Sequence, residues 1–369
     1  MMTPVVMHPN VHMKASSWSE GQVLHVAVAY SNPFRWQTRR ELANDFIRHM
    51  GENPNVRLHV VELAYGDRPW ELTDDDNTDH IRVRTTDVLW HKENLLNLAV
   101  RHFPPDWKYG AYWDADFQMT RRDWALETIH QLQMFDWVQL FNVVQHLSGR
   151  TIPGKGHRPI QAIDGFALTF VESGRTAPRG WEERIRKRAI RLKEPNYSVL
   201  DYTADPKVET IKEKEGKYVF PGAPGGGWAF KRSAFDQVGG LLDKCILGSA
   251  DSFMAFGMIG ELRGLNWNLK QYSSGYRDTI VAWQERAAVG HGNINFVDQT
   301  VIHHFHGSLV KRKYGERDNI LINNEYNPVT DVFYDYQGVL QLTTKKPKLR
   351  DQIRTYFIER CEDVPHLDY

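Results

Sequence analysis

The chain has 369 residues, 41% of them hydrophobic, enough for one large α/β domain with an appendage or for two domains. Lys and Arg number 46 and Asp and Glu 46, so no global electrostatic signature of nucleic-acid or membrane-surface binding exists. Its 2 cysteines, Cys245 and Cys361, stand far apart in no metal-binding spacing, which argues against a disulfide framework and for a reducing compartment.

Residues 1–24 are polar and aperiodic, an irregular lead-in. They hold no basic segment followed by an apolar run, and no window approaches the roughly 18 apolar residues of a span. A cytoplasmic protein without a membrane span is therefore expected. His25-Val-Ala-Val-Ala-Tyr30 is a short apolar run of the kind buried on both faces of a sheet. Thr38 then offers a cap for a helix over Arg39 to Met50, and Val56 to Leu63 follows as a second strand. Strand, helix and strand at this pace predict a βαβ unit with a parallel sheet. Asp74-Asp75-Asp76 fits a solvated loop. Ile81 to Val88 predicts a third strand, and Asn94 to His102 a helix stopped by Pro104-Pro105.

The next strand, Tyr109 to Trp113, runs into Asp114-Ala115-Asp116. In extended backbone the two carboxylates point the same way, and they repel unless a cation lies beside them. At the C-terminal end of an α/β strand such a cation commonly holds a phosphate, although D-x-D also suits a plain turn. A helix over Trp124 to Phe135 and an apolar strand over Trp137 to Val144 come next. Residues 146–193 are a basic insert: from Arg150 to Lys193, eleven cations face four carboxylates, a local charge of +7. A solvated face or a dock for an anionic partner such as DNA both suit it, and Arg184, Arg188 and Arg191 on a basic helix are the candidate acceptor contacts.

Gly225-Gly226-Gly227 precedes the strand-like Trp228-Ala-Phe230, and three glycines there allow a close backbone approach to a ligand. Ser233 is placed to cap the helix that Gly239-Gly240 ends. Asp251 opens an apolar helix, as its cap or as a general base. Phe296 to His306 reads as a strand ending in His303-His304-Phe305-His306, with His304 and His306 on one face and His303 on the other. Three imidazoles in four residues suggest metal ligands, and Lys311, Arg312, Lys313 and Arg317 follow at once. Residues 311–369 form a C-terminal helical extension, with a helix over Pro347 to Glu362.

In this order the pieces resemble the GT-A class of glycosyltransferases, and more closely its metal-dependent β-1,4-galactosyltransferase type. The resemblance is carried by Pro33-Phe-Arg35 with Arg40-Glu-Leu42, His91-Lys-Glu-Asn-Leu-Leu-Asn97, Asp114-Ala-Asp116, the glycine run, Gly248-Ser-Ala-Asp251 and His306. It implies a Rossmann-like, mostly parallel sheet flanked by helices over residues 25–310. It implies Mn²⁺ or Mg²⁺ on Asp114, Asp116 and His306, with His304 as a further ligand, and Asp251 as catalytic base. It implies nucleotide-sugar contacts at Tyr30, Asn32, Pro33, Arg35, Lys92, Asp114, Gly226, Gly227 and Trp228, and a diphosphate clamp of Lys311, Arg312 and Arg317. Ala250 stands where the family holds an acceptor hydroxyl with Glu, so a different acceptor is expected.

The expected activity is inverting transfer from a nucleotide-sugar, a UDP-sugar first among them, to a hydroxyl. A cytoplasmic glycan, a protein or a hydroxymethylated DNA base would be the acceptor. A nucleotidyltransferase that makes the activated sugar, or a non-catalytic binding module, are the alternatives. Ser31-Asn32-Pro33 lacks the Gly-rich loop that the first of these requires. No motif specifies an oligomeric state.

Overall fold

The computed structural model describes residues 22–74, 76–147, 159–175, 222–261, 269–290, 292–308, 310–314 and 316–364. Arg184, Arg188, Arg191 and the basic helix predicted around them lie outside these residues.

The first half alternates as the apolar runs require. Strand β1 (Leu24–Ser31), helix α1 (Gln37–Gly51), β2 (Val56–Tyr65), β3 (His80–Thr85), α2 (Lys92–Arg101) and β4 (Tyr109–Trp113) follow one another. Strand β1 pairs in parallel with β2 on one side and with β4 on the other. The connection from β1 thus runs to β2 on one side, and the one from β3 returns past both to β4 on the other. The crevice at the C-terminal ends of β1 and β4 is a topological switch point, where open α/β sheets bind their ligands.

Beyond β4 come β5 (Phe117–Met119), α3 (Trp124–Met134), β6 (Trp137–Gln139), β7 (Val143–Leu147), β8 (Pro159–Asp164) and α4 (Phe166–Glu172). The chain continues with β9 (Gly227–Lys231), α5 (Arg232–Val238), α6 (Ala250–Met258), α7 (Ser274–Ala288), β10 (Ile294–Phe296) and β11 (Thr300–His303). The last elements are α8 (Asp318–Asn323), the hairpin β12 (Val332–Tyr334) and β13 (Leu340–Leu342), and α9 (Pro347–Glu359). The main sheet has 7 strands in the order β10-β6-β9-β4-β1-β2-β3, parallel except for β9. A second sheet of 4 strands, β5-β11-β7-β8, abuts it. The fold is therefore mixed α/β on a mostly parallel sheet. No helix among the described residues is long and apolar enough to cross a membrane.

Alternate residues of β1 enter two apolar clusters. Ala27 joins one with Tyr112, Trp228 and the residues of α2, while Leu24, Val26 and Val28 join the other with Trp113, Phe117 and Trp124. This explains why the strand reads as an unbroken apolar run.

Several local expectations are corrected. The run over Trp137 to Val144 is two strands: β6 stays in the main sheet, and Leu140 and Phe141, both 0% exposed, carry the chain across to β7 in the second. Its apolarity marks burial at the junction rather than one continuous strand. Thr38 does not cap α1 but lies inside it, buried. The cap comes from Asp363, whose carboxylate accepts from Gln37 N at 3.0 Å and Thr38 N at 2.8 Å. Ser233 likewise lies within α5, not at its cap. The predicted strand over Phe296 to His306 is β10 and β11 with a break between them.

A carboxylate that satisfies two orphan N–H groups of a helix contributes about 1 kcal/mol. Asp363→Ala should therefore lower the free energy of unfolding by about 1 kcal/mol, measured by urea titration, with native secondary structure retained.

Candidate metal and anion site

The D-x-D segment is fixed from both sides. Trp113 pairs with Gly227 in the β4–β9 ladder, and Asp114 N donates to Gly226 O at 2.8 Å, so the glycine run lies directly beside the carboxylates. Strand β5 starts at Phe117, one residue after Asp116, and pairs antiparallel with β11 so that Phe117 faces His303. His304 N then donates to Asp116 O at 2.9 Å. This ladder carries a segment almost two hundred residues away to the D-x-D turn.

The imidazoles there are not the pair that alternation predicts. Strand β11 ends at His303, alternation lapses beyond it, and His306 lies on the His303 side. Oδ2 of Asp116 is 2.7 Å from Nε2 of His306 and 3.7 Å from Nε2 of His303, and the two ring nitrogens are 3.4 Å apart. Asp116, His303 and His306 offer ligand atoms that all lie within 4.8 Å of one another; His304 and Asp114 are not in this group. His146 on β7 lies against His303, the rings tilted at 50° with centroids 4.5 Å apart, and burial lowers its pKa to about 4. Burial also pushes the His303 imidazole well below its usual range. Burial pushes the Asp116 carboxyl upward, but His306, His303 and Arg312 outweigh it and hold the group far below the usual carboxylate range.

Two features of this group suit a cation. Oδ1 of Asp116 is buried without a hydrogen-bond partner. Nε2 of His306 faces an acceptor, Asp116, and also a donor, Arg312 Nη2 at 2.8 Å. One ring nitrogen carries either a hydrogen or a lone pair and cannot serve both. A divalent ion ligated by the carboxylate and by the Nε2 lone pair gives Asp116 a partner and ends the facing of its oxygen by a second acceptor, with Arg312 then turning to another acceptor. One carboxylate with two imidazoles is a suitable donor set for a first-row transition ion.

Asp114 has another partner. Lys92 Nζ binds its Oδ1 at 2.8 Å and Oδ2 at 3.2 Å, and lies 3.9 Å from Glu93 Oε1. Burial raises the Asp114 carboxyl, Lys92 opposes this, and Asp116 and Asp251 push it up again. Asp251 sits in the first turn of α6, after Ser249 rather than as the cap, and its Oδ1 accepts from Ser252 N at 2.8 Å. A Cβ on Gly225 would lie 2.6 Å from Asp251 Oδ2, so the bare glycine is what lets this carboxylate lie against the loop.

A cleft of about 140 Å³ opens here, lined by Tyr30, Pro33, Lys92, Asp114, Asp116 and His306 among others. Asn32 is buried behind Tyr30, donating to its OH at 3.0 Å and accepting from Trp36 N at 2.9 Å, and does not line the cleft. Arg35 is exposed with φ 57 and does not line it either. Asp251, Arg317 and Trp228 are not among the cleft walls, and the Trp228 indole is in the core. Lys311 is partly exposed on the loop after His306, where Arg312 reaches His306 and Arg317 Nη2 binds Ser249 Oγ at 2.7 Å. Arg312, Arg317 and Arg360 each keep a buried Nε–H without an acceptor. Such unpaired buried donors cost about 1–3 kcal/mol each; of the three arginines, Arg360 lines the cleft.

No known family model matches the chain, and no curated protein is found as a relative. The geometry alone therefore carries the functional argument. It also brings in residues with no local sequence signal: Trp90, Phe357, Arg360 and Glu362 complete the cleft walls, together with Arg39 of α1. His303 did have a signal, the three-imidazole run, but alternation assigned it to the wrong face.

Glu93, 3% exposed in the first turn of α2, has its pKa raised to about 7, first by burial and then by Asp251 against the pull of Lys92. The folded state thus holds this proton more tightly than the unfolded state, and stability falls as pH rises from about 4.5 to about 7. Glu93→Gln should match the wild type near pH 4 and exceed it at pH 8 by up to roughly 3 kcal/mol in urea unfolding.

Proposed function

We propose that this chain is a metal-dependent glycosyltransferase of the GT-A kind, transferring a sugar from a nucleotide-sugar to a hydroxyl acceptor with inversion. The observation that carries the proposal is the meeting of Asp116, His303 and His306 with Arg312 and Lys92 at the C-terminal strand ends, where the sheet order reverses. Carboxylate, imidazole and Lys92 on the cleft wall, with His303 and Arg312 behind His306, suit a diphosphate better than a neutral ligand.

Asp116, His303 and His306 would hold Mn²⁺ more readily than Mg²⁺, because imidazole is a poor ligand for the harder ion. When bound, the ion supplies Lewis-acid stabilisation to the departing diphosphate. Arg312 adds positive charge beside His306, and Tyr30, Pro33 and Lys92 form the wall along which the nucleotide lies. Asp251 takes the acceptor hydroxyl proton as the oxygen bonds to the anomeric carbon. The bond from that carbon to the diphosphate breaks, and its electron pair leaves with the nucleoside diphosphate. Asp114 serves through Lys92 rather than as an ion ligand. The +7 charge of residues 150–193 supports an anionic acceptor, DNA with a hydroxymethylated base included.

UDP-sugars with Mn²⁺ and candidate acceptors, assayed for UDP release, test the proposal. Asp251→Asn should bind donor normally while transfer falls about 10²- to 10⁴-fold. Asp116→Ala should lose Mn²⁺-dependent nucleotide binding. Release of pyrophosphate instead of UDP, or full transfer by Asp251→Asn, would contradict the assignment.

A further inference from the structure

The carboxylate of Glu362 has a side-chain exposure of 1%. Arg39 grips it with Nε at 2.9 Å and Nη2 at 2.6 Å, and Arg360 Nη2 adds a third contact at 2.9 Å. Its Oε2 lies 3.7 Å from Nδ1 of His306, on the side of the ring opposite Asp116 and His303. The chain brings it there by crossing Gly307, where a Cβ would meet Glu362 Cα at 3.1 Å and Arg360 O at 3.4 Å; φ there is +94. The same stretch is anchored on both sides. Tyr356 OH donates to Arg312 O at 3.0 Å, and Asp363 caps α1.

We propose that Glu362 is a positioning residue for His306: its carboxylate keeps the imidazole hydrogen on Nδ1 and presents the Nε2 lone pair to a divalent cation shared with Asp116 and His303. The inference rests on the cation reading given under Proposed function. At 3.7 Å the contact is one of charge: a carboxylate beside the far nitrogen favours the hydrogen there and makes the imidazole a stronger ligand. Burial pushes the Glu362 carboxyl upward, but Arg39 and Arg360 outweigh it and keep the group ionised for this role. A segment at the far C-terminal end of the described chain thus completes a site built around β4.

Mn²⁺ titration of the full chain without nucleotide, followed by electron paramagnetic resonance, tests this. Glu362→Gln keeps the shape but loses the charge, and should bind Mn²⁺ about 10- to 100-fold more weakly with a native circular dichroism spectrum. Asp363→Ala, in the same stretch, should lose stability with unchanged Mn²⁺ affinity. Should Glu362→Gln fail to fold, Glu362→Asp retains the charge and should shift the visible absorption bands of the Co²⁺-loaded protein. Wild-type affinity in Glu362→Gln, or an unshifted Co²⁺ spectrum in Glu362→Asp, would overturn the inference. If Asp116→Ala still loses Mn²⁺ in that case, the cation reading survives alone. A wild-type chain that binds no Mn²⁺ overturns both.

Discussion

A half-buried carboxylate with one enclosed oxygen, just beyond the end of a sheet strand, has to be compensated, and the architecture around Asp116 is arranged to meet that demand. Here the compensation comes from far along the chain. The second sheet exists in part to place β11 against β5, and that pairing delivers His303 and His306. The following loop folds back so that Arg312 reaches the same imidazole. Helix α9 holds this loop through Tyr356, and the chain beyond α9 returns with Glu362. Imidazoles and a guanidinium from distant segments thus answer one negative charge, and Glu362 stands behind the imidazole that does so.

The neighbouring charges are kept separate from this group. Lys92 occupies Asp114, so the two carboxylates of the D-x-D do not compete for one partner. Asp251 stands across the glycine loop, close enough to raise both Asp114 and Glu93. On the proposed reading, this division matches the chemistry. One carboxylate sits with the leaving group, another is held by a lysine, and the third is free to take a proton. Dividing the roles requires the bare backbone of Gly225, which leaves room for the Asp251 carboxylate.

Much of the fold was legible because the signals are local. The strand over Tyr109 to Trp113 coincides with β4, and the alternation of apolar runs with amphipathic stretches leads to the mostly parallel sheet. The failures arise where a distant residue overrides a local rule. Thr38 looks like a cap, but Asp363 does that work from the other end of the chain. Continuous apolarity over Trp137 to Val144 hides a change of sheet, because both sides of the junction are buried. At the site, Asp116 and His306 do come together, yet strict alternation put His304 beside them and His303 opposite. That rule holds only while the backbone stays extended, and β11 stops at His303. Nothing in the sequence near Glu362 points to His306, since the link is a crossing over Gly307 visible only in three dimensions.

The most direct test of the central claim is anomalous diffraction from a crystal grown with Mn²⁺ and a nucleoside diphosphate. The account predicts one strong peak in bonding contact with Asp116, His303 and His306, with the diphosphate reaching it from the Lys92 and Arg312 side. A peak on other ligands, or a bound diphosphate with no ion among these three side chains, would contradict it.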